Sequence, residues 1–63
     1  MKLIILFFPS ADKLIRFRLA INPKVVEENL HARTLFCCCN EDQMELAEYV
    51  YGASIFEMQG SLN

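Results

Sequence analysis

Three consecutive cysteines, Cys37, Cys38 and Cys39, stand in the stretch TLFCCCNEDQ. Thiols can serve as nucleophiles, as soft metal ligands or as disulfide partners, and each chemistry needs more than adjacency. A nucleophilic thiol must be held as thiolate, which a helix N-terminus favours, and Cys39 directly precedes the Asn40 that would cap such a helix. That makes Cys39 the candidate reactive thiol, although no general base stands near it in sequence. A zinc site would call for four tetrahedral ligands. One strand offers two at most, and the one imidazole, His31, precedes the strand on an outward face. A disulfide between neighbouring cysteines would strain the peptide between them.

Placed on a strand, successive side chains alternate, so Cys37 and Cys39 point one way and Cys38 the other. The reading that follows is three small, buried apolar residues, with a thiol-based redox or metal site at Cys37 to Cys39 as the rival. Three cysteines are an odd number without a distant fourth, which does not suit the paired framework of a small secreted domain. A reducing cytoplasm is the expected compartment.

Other groups are weighed in the same way. Glu41, Glu45 and Glu48 share one helical face and could hold a hard cation, but the oxygen-rich loop of a calcium site is missing. Arg16 and Arg18 flank Phe17, the basic and aromatic interleaving of an RNA-binding sheet. Strand alternation would turn Phe17 away from both arginines, and two cations are few for tracking a phosphate backbone. RNA binding is thus a weaker alternative, and the formal charge of -2 gives no electrostatic reason to expect nucleic acid. No phosphate loop or nucleophile elbow occurs. No catalytic residue, cofactor site or metal site is assigned, and the chain is read as non-enzymatic.

The elements that must position these residues are constrained by size. At 63 residues the chain is one small domain, expected over residues 1–59 with a frayed tail over 60–63. Such a core seldom supplies more than roughly 3 to 5 kcal/mol, so support from a metal, disulfides or a second subunit is expected. More than half of the residues are apolar, which argues against disorder. The apolar start, Leu3 to Phe8, is too short for a secretory signal and for a membrane span and reads as a strand.

Thr34 to Cys39 reads as a strand buried on both faces. Asn40 with Gln43 forms a capping box for a helix from Glu41 to Tyr51, with Met44, Leu46, Ala47, Val50 and Tyr51 inward and the glutamates outward. Gly52 suits the left-handed residue that ends it, and Ser54 to Gln59 reads as a strand. In the first half, Ile15, Phe17, Leu19 and Ile21 alternate with Arg16, Arg18 and Ala20, which predicts a strand. The alternative is a helix over 11–21 capped by Ser10. It is disfavoured because Arg16 and Arg18 would point 200° apart, driving one toward the apolar side. Asn22 and Pro23 then suit the N-cap and first position of a helix with Val25, Val26, Asn29, Leu30 and Ala32 inward.

The expected fold is α/β in the α+β sense: a small four-stranded mixed sheet, β-β-α-β-α-β along the chain, with two helices on one face. The alternative order is β-α-α-β-α-β. The strands from Lys2 and Thr34 should be central, and the strands carrying Arg16 and Glu57 should be edges. The second face would expose Phe7 or Phe8, Phe36 and neighbouring aliphatics, more than a monomer ordinarily leaves in water. The functional expectation is a small interaction module, an adaptor or inhibitor, homodimeric or completed by a partner protein. Phe36 would lie at the contact, and Arg16, Arg18, Glu41, Glu45 and Glu48 would set orientation.

Overall fold

A computed structural model of the chain describes residues 2–57. Along it run β1 (Lys2–Phe7), α1 (Ala11–Ile21), β2 (Lys24–Asn29), β3 (Thr34–Cys39), α2 (Glu41–Tyr49) and β4 (Ser54–Glu57). The strands form one sheet in the order β2-β3-β1-β4. Every neighbouring pair is antiparallel. Each helix crosses from one strand to another two places away, so the two β-α-β units interleave.

The α+β class, the four strands and the two helices on one face are as the sequence implies, with β1 and β3 central. The element order and the mixed sheet are corrected. Residues 11–21 are helix, as in the disfavoured alternative, and the segment after Pro23 is strand in both readings' place of a helix. The last strand is described to Glu57; the remainder of the expected strand and the tail lie outside the described residues.

Local chemistry accounts for α1. Ser10 accepts a hydrogen bond from the Lys13 amide, Asp12 lies in the first turn, and Arg18 lies in the last; each matches the helix dipole. Leu14 and Phe17, three apart, bury on one face. Arg18, whose direction counted against the helix, meets Glu28 of β2, with Nε 2.6 Å from Oε1. This is a charge contact rather than an aligned hydrogen bond. Asn22 takes left-handed backbone at φ 53 and returns its amide to the Arg18 carbonyl. It therefore ends a helix instead of beginning one.

Pro23 is buried and Lys24 starts an edge strand. The β-branched Val25 and Val26 suit a pleated edge. A bulge between Val25 and Glu27 breaks the register with β3, which hides β2's alternation and blunts its free edge. His31 sits exposed in the turn joining β2 to β3, not on a helix.

α2 begins as expected. The Asn40 side chain accepts from the Gln43 amide at 2.8 Å, and Gln43 accepts from the Asn40 amide at 3.0 Å. Asn40→Ala should cost about 1 kcal/mol, visible as a lower urea midpoint with an unchanged slope. The helix ends at Tyr49, and Gly52 takes φ 71. Only Met44 and Ala47 of α2 are buried. Leu46 and Val50, expected inward, are exposed.

The core lies between sheet and helices: Ile4, Leu6 and Phe8, Leu14 and Phe17, Leu35, Cys37 and Cys39, with Met44, Ala47 and Ala53. Phe17 stacks at 5.5 Å on Phe8 and at 5.4 Å, edge to face, on Tyr51.

Candidate functional site

Two surfaces and one buried thiol pair carry the residues of interest. Strand pairing fixes the first surface. Ile5 stands opposite Phe36 and Phe56, and Glu27 stands opposite Phe36. Glu27, Phe36, Ile5 and Phe56 thus form one row across the sheet on the side away from the helices. Lys24, Cys38 and Leu3 form the next row by the same pairing. Phe7, opposite Thr34 and Ser54, adds a third. Phe56 is 56% exposed and Phe7 42%, while Ile5 and Phe36 are half-buried by their neighbours. No element among the described residues covers this face. Of the expected Phe7 or Phe8, Phe7 lies on this face and Phe8 in the core; Leu3 and Phe56 extend the patch around Phe36, Phe56 belonging in sequence only to a strand with no side assigned.

The cysteines alternate as expected. Cys37 and Cys39 face the helices, fully buried, with their Sγ atoms 3.6 Å apart. Cys38 is half-buried on the open face. Burial pushes the Cys37 thiol up, with Cys39 adding to the effect, and burial likewise raises Cys39. Desolvation therefore opposes a thiolate at Cys39. Folded protein should react with a thiol reagent at Cys38 first, while Cys37 and Cys39 wait for unfolding. Fast labelling of Cys39 in the native state would contradict its packing.

The same burial has a pH consequence. The unfolded chain loses these thiol protons near the ordinary thiol pKa of about 8.5, and the folded chain keeps them. The unfolded state then binds fewer protons, so stability should fall as pH rises through about 8.5 and beyond. The slope is at most about 1.4 kcal/mol per pH unit for each thiol. Urea titrations at pH 7.5 and 9.5, with a Cys37→Ala and Cys39→Ala chain as reference, measure it.

The charged candidates lie on the helix layer. Arg16 Nε pairs with Asp12 Oδ2 at 2.8 Å within α1, and Arg18 is committed to Glu28. Because both arginines are helical, they share no sheet platform with Phe17, which is core. Glu41, Glu45 and Glu48 are exposed on α2 as expected, without an ion-pair partner among the described residues. Among those residues no group of three or more histidine, cysteine or carboxylate side chains could hold a metal ion. Nor is any helix there long and apolar enough to cross a membrane.

No protein-family model, curated protein or solved structure matches this chain.

Proposed function

We propose that the protein is a small, non-enzymatic interaction module that works as a homodimer, each subunit covering the open sheet face of the other. The observation that carries this reading is the apolar face of Leu3, Ile5, Phe7, Phe36 and Phe56, over which no element among the described residues lies. Three strands of six residues and one of four, at about 3.3 Å per residue and about 4.8 Å between strands, make a face on the order of 350 Å². Counted as wholly apolar, which makes the figure an upper bound, burying it on both subunits at roughly 25 cal/mol per Å² contributes at most on the order of 20 kcal/mol gross, against 4 to 15 or more for association.

Charge placement favours a second copy as the occupant. Lys24 and Glu27 lie on the same face of the same edge strand, one row apart. A two-fold axis crossing the strands between these rows would set Lys24 of each copy over Glu27 of the other, and Phe36 over Cys38. Three free cysteines fit a reducing compartment such as the cytoplasm. Sedimentation velocity at micromolar concentration tests the reading. A dimer is expected, and a well-folded monomer would overturn it.

A further inference from the structure

Val50, the C-cap residue of α2, faces an exposed residue of α1, and Leu46 lies beside Val50 in an adjoining depression. Leu19 is 70% exposed and Val50 57%. Lys13, Arg16, Leu19 and Ala20 of α1 face Val50 and Tyr51 across a shallow trough of about 610 Å³. A second depression continues from Val50 to Leu46, Tyr49, Asp42 and Glu45. The result is one apolar line, Leu19–Val50–Leu46, with a charged bank on each side.

The banks are unequal. Arg16 is already neutralised by Asp12 at 2.8 Å. Lys13, Asp42 and Glu45 form no ion pair among the described residues. The α2 bank therefore keeps two carboxylates without an ion-pair partner among the described residues, with Glu41 and Glu48 nearby on the same helix, and the α1 bank keeps one ammonium. Such a field attracts a cationic partner and repels an anionic lipid surface.

We propose that this trough is a docking site for a cationic amphipathic helix of a partner protein. Its apolar residues would seat on Leu19, Val50 and Leu46, and its lysine or arginine flank would run along Asp42 and Glu45. The nine residues of α2 span about 13 Å at 1.5 Å each, which accommodates anchors at i, i+3 or i+4, and i+7. The proposal adds a partner class on the side opposite the sheet face and does not depend on the dimer.

The test uses the full chain and two labelled synthetic helices of about 14 residues, four turns. Both carry the same leucine stripe, one with lysine along a flank and one with glutamate there. Fluorescence anisotropy should show saturable binding of the lysine helix and at least roughly tenfold weaker binding of the glutamate helix. Amide NMR shifts should cluster at Leu19, Ala20, Leu46, Val50 and Tyr51. Leu19→Glu should abolish binding, and Asp42→Lys with Glu45→Lys should reverse the preference. Val50→Glu serves in place of Leu19→Glu if that chain does not fold. Equal binding of both helices, no saturation by either, or undiminished binding by the Leu19→Glu chain would overturn the proposal. So would a lower sedimentation coefficient for that chain, because the trough would then be a contact between copies. A monomeric wild type that still binds the lysine helix would overturn the dimer alone.

Discussion

Replacing Phe17 by alanine should leave a chain without a cooperative unfolding transition at room temperature. Phe17 is fully buried and joins three parts of the fold: the end of β1 through Phe8, α1 itself, and the segment after α2 through Tyr51. Truncating a buried phenylalanine costs about 3–5 kcal/mol. A core in a domain of this size supplies roughly the same amount, so the loss consumes the stability available. Leu19→Ala supplies the contrast. On a strand, residues two apart share a face and the two substitutions would cost alike. On α1 they point 200° apart, and Leu19 lies outside the core. Its removal should therefore change stability by no more than about 0.5 kcal/mol. Circular dichroism during urea titration separates the cases. A Phe17→Ala chain that unfolds normally within about 1 kcal/mol of wild type would contradict the packing of α1.

That pair of residues also marks where sequence reasoning loses its hold. β1, β3 and the start of α2 are legible because their signals are local: continuous apolar runs for buried strands, and a reciprocal cap at Asn40 and Gln43. Between residues 10 and 32 the deciding interactions are tertiary. Arg18 is acceptable on α1 because Glu28, ten residues later on another element, answers its charge. Nothing in the local pattern announces that partner. Asn22 favours a helix start and a left-handed helix end alike, and only the chain's path chooses between them. The bulge at Val26 removes the alternation that would have identified β2. Without that strand, Glu27 and Lys24 could not be placed beside Phe36 and Cys38.

The candidate surfaces divide along the same line. An open apolar sheet face with Phe36 in it follows from two strands apolar on both sides and only two helices to cover them. Its extent over Phe56, and the trough at Leu19, do not follow. Leu46 and Val50 fall on the apolar stripe of α2, and periodicity cannot tell an inward leucine from one at the border of the packed face. In the fold, α2 leans on β3 and β4 through Met44 and Ala47. Leu46 and Val50 are left on its far flank.

Reversing one charge at the edge of the open face should break the dimer, and reversing both should restore it. Lys24→Glu places a carboxylate over Glu27 of the other copy, twice per dimer because the contact is reciprocal. Glu27→Lys does the same with ammonium groups. Both side chains are exposed in a single chain, so neither reversal should unfold it, and the loss would appear in sedimentation, growing as salt is lowered. The chain carrying both changes regains two opposite-charge contacts and should sediment as the wild type does. A partner protein with its own charge pattern would not produce that recovery, which makes the double reversal the sharper discriminator of what covers the face. Phe56→Asp bears on the apolar part of the same contact. At 56% exposure Phe56 contributes little to the core, yet in the dimer its replacement would bury two carboxylates without partners, each costing several kcal/mol. Folded monomer is the expected product. A dimer that survives Phe56→Asp together with both single charge reversals would place the interface elsewhere.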